Sequence, residues 1–576
     1  MEGIVVLSVL NAKYVHASPA PWCLAAGVQA FAPELTHRVK IVEATINQPL
    51  ADVLKQIVAF APAVVGFSCY IWNIKATLEL CAMLKKALPN AVIVLGGPEV
   101  SYCAKDVLQR NPQIDYILAG EGETSVPAFL RAVFTPGALH ELTPQSIPGL
   151  CGRHADGTPY ESAPCALNGP IPLPFAAGYA DAVKGRIAYI ETSRGCPYSC
   201  AFCLSGQCSK PRFFALDTMF PHLLQLANSG TRTIKFVDRT FNANTAHANQ
   251  ILQFILAHYG KEIPTGVCFH FEIAGDILRE ETFALLEQMP LGAVQLEIGL
   301  QSFYEKTLEA VNRKTNTAIL QKNIQRLVAM GNMHIHIDLI AGLPYETLPL
   351  FAESFNKGYV LGAQMLQLGF LKLLHGSAMR TDSHAFPCEF DDTPPYEVRS
   401  TPWLSAQDLE CLRHTENAVD RVYNSGRFRL TAEYVIAASS LTPFAFYSGL
   451  GDAAARANLP WNISLDDYTA LLQKYCSSLP GVEPEHLRDC LVRDRLATNS
   501  TGRLPPCLHQ MDAQMTTVLK ALSANPETAP QKGVRRGVAL LYGAKVVCWA
   551  DYTPADKHPV TGRWRLHEIP TADILP

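Results

Sequence analysis

Cys196, Cys200 and Cys203 stand in a C-x3-C-x2-C pattern within Glu191 to Gln207, ETSRGCPYSCAFCLSGQ. An apolar run directly before it, Ile187 to Ile190, reads as a strand. Three thiolates on a loop leaving a strand can converge on one inorganic cluster. A four-iron, four-sulfur (4Fe-4S) cluster takes four cysteine ligands as a rule, so three from this loop leave one iron open. That open position is the chemistry the spacing offers. A zinc loop would pair two close cysteines with a second pair or with histidines, and no matching pair follows.

With Phe202 before the last cysteine, the loop resembles the signature of the radical S-adenosylmethionine (SAM) superfamily. The resemblance implies that the amino and carboxylate groups of SAM chelate the open iron. An electron from the cluster, supplied by a low-potential donor, then breaks the sulfonium bond to give a 5′-deoxyadenosyl radical.

Such a loop needs a scaffold, and residues 185–385 supply a candidate. Six strand-like runs alternate there with helical patterns: Ile187 to Thr192, Thr233 to Val237, Val267 to Ile273, Ala293 to Gly299, His334 to Ile340 and Leu366 to Leu373. Six such units make a partial (β/α)6 barrel, whose chemistry sits at the carboxyl ends of its strands. Glu272 falls near the end of the third, Gln301 just after the fourth and Asp338 near the end of the fifth; Arg313 is expected on the helix after the fourth. IGLQSF, VNRK and DLIAGLP resemble the oxygen-independent coproporphyrinogen oxidase branch of the superfamily. By that resemblance Gln301, Arg313 and Asp338 hold the ribose and carboxylate ends of SAM, Glu272 fixes its polar groups and the backbone at Phe202 meets adenine. The second strand ends in KFVDRTFNAN in place of Gly-Gly-Glu; Asp238 and Asn242 are polar groups at that rim, in either a functional or a structural role.

Residues 1–140 alternate apolar runs with helical patterns, as in a Rossmann-like parallel sheet. The runs are Ile4 to Leu10, Val39 to Glu43, Val64 to Ser68, Ala91 to Leu95 and Tyr116 to Ala119, and glycines mark three strand ends. Ligands of open sheets bind there, where glycine lets a large molecule approach the backbone. VVGFSCYIWN, VLGGPEVS and YILAGEGETS resemble the cobalamin-binding domain that precedes the catalytic domain in one radical SAM class. The resemblance places Ser68, Gly96, Gly97, Pro98, Glu99 and Gly122 near the corrin. The D-x-H-x-x-G motif is absent, so cobalt is expected without a lower histidine. Residues 141–184, rich in proline, glycine and alanine, read as a linker. Residues 386–576 read as a mostly helical extension with a strand-like pair, Val538 to Trp549, and resemble the uncharacterised extension of one cobalamin-type subfamily.

Bulk properties narrow the class. The chain has 576 residues, 48% hydrophobic and 17% charged, with net charge −4, which offers no basic footprint for nucleic acid. No apolar run reaches the ~18 residues of a membrane span, and the opening MEGIVVLSVLNAKY does not read as a signal peptide. The 17 cysteines lie mostly in apolar segments, which fits reduced thiols in a cytoplasmic protein; Cys208 is expected to be structural. The expected function is that of a cobalamin-dependent radical SAM enzyme, most simply a methyltransferase acting on an unactivated carbon. Two alternatives stay open. One is a methylthiotransferase acting on transfer RNA, with a second cluster drawn from Cys23, Cys69, Cys81 and Cys103. The other is a non-catalytic cobalamin or redox sensor.

Overall fold

Five apolar runs of the first domain become parallel strands: β1 (Ile4–Asn11), β2 (Val39–Thr45), β3 (Pro62–Ser68), β4 (Val92–Gly96) and β5 (Tyr116–Leu118). They belong to a computed structural model that describes residues 3–167, 169–207, 210–458, 462–509 and 514–574. These strands are apolar throughout because helices cover both faces of the sheet. Ala20–Phe31 and Gly122–Phe134 pack on one face, and Leu50–Val58, Ile74–Ala87 and Ala104–Arg110 on the other. The order β2-β1-β3-β4-β5 reverses direction between β1 and β3, which is where an open sheet of this type presents its ligand crevice.

Residues 141–184 do more than link. They add β6 (Leu150–Arg153) and β7 (Pro159–Tyr160), antiparallel, to the edge of this sheet beyond β5. Strands of four and two residues are too short for a hydrophobic period to betray them.

The second sheet is wholly parallel and open. Its members are β8 (Ala188–Ile190), β11 (Thr233–Phe236), β12 (Cys268–Ile273), β13 (Val294–Gln301), β14 (His334–Ala341) and β15 (Met365–Phe370), in that spatial order. A small antiparallel pair, β9 (Ser193–Arg194) and β10 (Arg212–Phe213), brackets the cysteine loop. The register between β13 and β14 shifts between Gly299 and Gln301, and Gln301 adopts φ +67°. A bulge of this kind re-aims a side chain at the rim of a barrel. Here the side chain is that of Gln301.

The rest of the chain adds a short pair, β16 (Glu389–Phe390) and β17 (Val398–Ser400), then, among the described residues, five α-helices between Ala406 and Thr498. A three-stranded antiparallel sheet follows, β18 (Arg536–Leu541), β19 (Val546–Asp551) and β20 (His567–Pro570). The strand-like pair of the sequence thus gains a third member. One hydrophobic core runs from the barrel into these helices, where Phe355 packs edge-on against Phe444 and Tyr447. Among the described residues no helix is long and apolar enough to cross a membrane.

One buried carboxylate behind the barrel makes a pH prediction. Glu346, in the turn after β14, is fully buried and accepts hydrogen bonds from the hydroxyls of Ser302 (2.6 Å) and Ser354 (2.8 Å). Burial pushes its pKa up to about 7, against the pull of those two hydroxyls. The unfolded chain releases this proton near the ordinary carboxylate value of about 4.5, while the folded chain keeps it to about 7. Stability therefore falls as pH rises through that window and stays lower above it, by about 3 kcal/mol for a shift of this size. Glu346→Gln is expected to raise the melting temperature by a few degrees at pH 8 and to leave it unchanged at pH 5, as read by calorimetry at both values.

Candidate functional site

The carboxyl ends of β12, β13 and β14 and the cysteine loop line an open-mouthed cavity of about 210 Å3. Cys196, Cys200 and Cys203 line it together with Phe202, Glu272, Gln301, Arg313 and Asp338. The structure therefore brings eight sequence-selected residues, spread over more than 140 positions, onto one cavity. Tyr198, Arg239 and Glu297 line it as well and were not anticipated.

The cysteine loop is held by a buried carboxylate. Asp238, just past β11, accepts hydrogen bonds from the Thr192 amide (3.0 Å), the Thr192 hydroxyl (2.7 Å) and the Ser193 hydroxyl (2.5 Å). Burial raises its pKa to about 6, and those hydrogen bonds oppose the shift. Asn242 is also buried and pairs through its amide with both backbone groups of Ala274. Both residues are thus structural ties, which resolves the choice the sequence left open. Further along, the Ala201 amide donates to Val311 O (2.9 Å), and Asn312 Nδ2 donates to Ser199 O (3.2 Å).

Arg194, two residues before Cys196, joins this loop to the first domain. Its guanidinium donates to Glu191 (2.9 and 2.7 Å) and to Glu123 (2.8 Å), and it lies 3.5 Å from Glu121. Arg212 of β10 also pairs with Glu121. The acidic residues of the GEGE stretch thus grip the strand that launches the cysteines. Gly122 serves packing, since a Cβ there would fall 2.4 Å from Leu24 Cδ2 on the neighbouring helix.

Cys196 Sγ lies 3.5 Å from Thr240 Oγ1. Burial pushes the Cys200 thiol up, while Arg313, whose Nη1 is 4.0 Å from Sγ, opposes the shift. Three thiols facing one cavity beside a guanidinium fit a three-cysteine cluster. Cys208 lies outside the described residues. Of the cysteines considered for a second cluster, Cys69 and Cys81 are sealed in the core between the first sheet and its helices.

Arg313 is not helical. It sits in the loop between Glu305–Ala310 and Thr317–Met330, because Asn316 caps the second helix with its side chain, accepting from Ile319 N at 3.0 Å. Its Nη2 donates to Gly299 O (2.9 Å), which aims the head at the cavity. Two polar atoms there have no hydrogen-bond partner although buried, Gln301 Oε1 and Arg313 Nε. Buried polar groups are nearly always paired, so these two fit a polar ligand such as SAM. Glu272 is driven to a pKa of about 7, by burial first, with Arg239 lowering it and Glu297 raising it. Asp338 is raised by burial, against His336, whose Nε2 is 2.9 Å from Asp338 Oδ1. The inward side chains alternate along the strands, as in His270 and Glu272, or Gln295, Glu297 and Gln301, or His334, His336 and Asp338. That period of two is the signal by which Glu297 and His336 were open to discovery.

At the ligand end of the first sheet the assigned residues part company. Ser68 is buried at the end of β3, with its carbonyl accepting from Asn73 Nδ2 (3.0 Å). Gly96 ends β4 and accepts from Cys69 N (2.7 Å), while Gly97 has φ +101° and leaves no room for a Cβ, which would stand 2.5 Å from Cys69 O. Pro98 opens a one-turn helix. Glu99 is buried and accepts a hydrogen bond from the Tyr396 hydroxyl. Exposed rings follow three strands at this edge, Tyr14 after β1 (76% exposed), Trp72 after β3 (47%) and Tyr102 after β4. Trp72 also stacks on Tyr70 at 4.4 Å. An apolar rim beside glycine-bearing strand ends fits a large, flat macrocycle such as a corrin.

Comparison with known proteins agrees with this layout. Residues 10–130 match the B12 binding domain, residues 190–356 the radical SAM superfamily and residues 384–532 a protein family of unknown function, DUF4080. The chain is similar to 2-(S-pantetheinyl)-carbapenam-3-carboxylate methyltransferase from Streptantibioticus cattleyicolor, 27% identical over 326 residues, covering 51% of this chain and 44% of that protein. It is also similar to the cobalamin-dependent radical SAM methyltransferase TokK from Streptomyces tokunonensis, 28% identical over 324 residues, covering 52% and 44%. The chain thus spans less than half the length of these curated relatives. Among solved structures, the cobalamin-dependent SAM radical enzyme OxsB shares the fold, with a TM-score of 0.56 at 13% identity over 85% of this chain and 79% of that one. The chain thus carries in succession a match to the B12 binding domain, a match to the radical SAM superfamily and the DUF4080 segment.

Proposed function

We propose that the protein is a cobalamin-dependent radical SAM methyltransferase that modifies an unactivated carbon of its substrate. The observation that carries this reading is the single cavity shared by three cysteines and five polar or backbone contacts suited to SAM. The relatives named above, methyltransferases by name, supply the choice of methylation. Bound in these sites, the cluster and SAM supply a carbon-centred radical, and cobalamin supplies a transferable methyl group.

The chain's own residues hold and orient. Cys196, Cys200 and Cys203 would hold the cluster. Arg313 grips the SAM carboxylate through a charge-assisted contact. Gln301 Oε1 accepts from a ribose hydroxyl, Asp338 holds the second, and Glu272, poised near neutrality, accepts from the ammonium. The Phe202 backbone meets adenine. Ser68, Gly96, Gly97, Pro98, Glu99 and Gly122 would lie near the corrin. Holding the reactants at fixed geometry is the protein's main contribution to rate.

Anaerobic purification with cobalamin, iron and sulfide, followed by SAM and a strong reductant, tests the reading. About four irons per chain and 5′-deoxyadenosine are expected. About eight irons would favour the methylthiotransferase reading. Failure to form 5′-deoxyadenosine with a full cluster would favour the sensor. Arg313→Ala is expected to weaken SAM binding roughly 30-fold, the value of one lost charge-assisted contact of about 2 kcal/mol, with cluster iron unchanged.

A further inference from the structure

We propose that Tyr396 is a positioning residue for cobalamin: its hydroxyl holds the turn at the ends of β3, β4 and β5, so that chain beyond the barrel completes the crevice of the first domain. Its role rests on the function proposed above, in which that crevice takes cobalamin. Glu99, which accepts from the Tyr396 hydroxyl, lies within the match to the B12 binding domain, and Tyr396 within the DUF4080 segment.

The turn joins three strand ends. Glu99 is the second residue of the one-turn helix Pro98–Ser101, directly after Gly96 and Gly97. Ser101 Oγ donates to Gly97 O (2.8 Å) and accepts from Gly120 N (3.2 Å), while Glu99 N donates to Cys69 O (3.4 Å). Residues just past β3, β4 and β5 are thereby tied to one another. Where this short helix stands sets what the strand ends present to a ligand.

Tyr396 reaches the turn in a fixed pose. It lies between β16 and β17, is 5% exposed and has φ +57°, a left-handed conformation that a bulky residue keeps only where its surroundings impose it. Its carbonyl accepts from Leu373 N (2.9 Å), three residues past β15, which anchors it to the barrel. Arg380 lies over its ring at 4.6 Å, and His375 meets the ring edge-on at 5.0 Å.

The chemistry of the contact favours orientation over mere cohesion. Glu99 is 6% exposed, and burial raises its pKa while the Tyr396 hydroxyl and the Arg380 charge oppose the shift. An apolar pair of the same shape would join the two segments about as well. A hydrogen bond to a charged acceptor adds direction, because it is short and geometrically specific. A second contact fixes the same edge: Gly376, at φ +87°, makes room for Tyr102, whose Cγ stands 2.4 Å from where a Cβ would fall.

The test uses the full chain with its cluster reconstituted anaerobically and hydroxocobalamin as the probe, with affinity read in the cold by ultrafiltration and visible absorbance. The parent chain is expected to bind one hydroxocobalamin. Tyr396→Phe, which keeps the ring and removes only the hydroxyl, is expected to weaken binding about tenfold with cluster iron unchanged, the effect of one hydrogen bond to a charged group. Glu99→Gln, whose amide oxygen still accepts from Tyr396, is expected to stay within a few-fold of the parent chain. The double change Tyr396→Phe with Glu99→Gln strands no buried charge, which guards against misfolding, and is expected to bind about as weakly as Tyr396→Phe. A merely structural contact would lower the melting temperature and leave the affinity of the folded chain alone. Equal affinity of Glu99→Gln and the double variant would overturn the positioning role and leave the cobalamin reading intact, whereas a parent chain that binds no hydroxocobalamin would overturn both.

Discussion

Cys200→Ala is expected to strip the cluster and silence SAM cleavage together, with iron falling from about four per chain to background and 5′-deoxyadenosine to the no-enzyme level. The thiol is buried on the cavity wall, 4.0 Å from Arg313 Nη1, and apart from Cys196 and Cys203 no other cysteine among the described residues lines that cavity. Two cysteines cannot retain a cubane whose fourth corner already depends on an exchangeable ligand. The fold should scarcely register the change, since deleting one small buried side-chain atom costs about 1 kcal/mol. Paramagnetic spectra, iron counts and a thermal melt on one preparation check all three claims. Cleavage that survives the substitution would remove the cysteine loop from the mechanism.

Arg194→Ala is expected to part the first domain from the barrel. The guanidinium pairs with both Glu123 and Glu191, and Glu123 is only 5% exposed at its side chain. Removing one partner of a buried ion pair leaves an uncompensated charge and costs about 3–5 kcal/mol. Here three carboxylates would be left facing one another, with Arg212 still holding Glu121. Calorimetry should show an early transition for the first domain, and limited proteolysis should open residues 141–184 first. The double change Arg194→Ala with Glu123→Gln should recover part of the loss, because it removes the most deeply buried of the stranded charges. A melt unchanged from that of the parent chain would show that the contact is ornamental.

Much of this architecture is written in the sequence, for identifiable reasons. Parallel strands buried on both faces read as uninterrupted apolar runs, so β1 to β5 and the six barrel strands stand out. The cysteine loop stands out by spacing alone. What escaped depends on contacts distant in the chain. Asp238 looks like a rim residue until the fold shows its carboxylate turned onto Thr192 and Ser193. Arg313 follows a helical pattern that Asn316 interrupts by starting a new helix. Gly122 and Glu99 sit in segments of the expected type, yet one is small to admit Leu24 and the other is claimed by Tyr396. The inward row of His270, Glu297 and His336 was legible in principle, but only once the facing of each strand was known.

The bond between Glu99 and Tyr396 has a consequence for how the chain is made. Its partners are 297 residues apart in sequence. At roughly 5–20 residues per second, Glu99 leaves the ribosome about 15–60 s before the tyrosine that will cover it. During that interval the first domain has its strands but carries an open, carboxylate-bearing face beside β4.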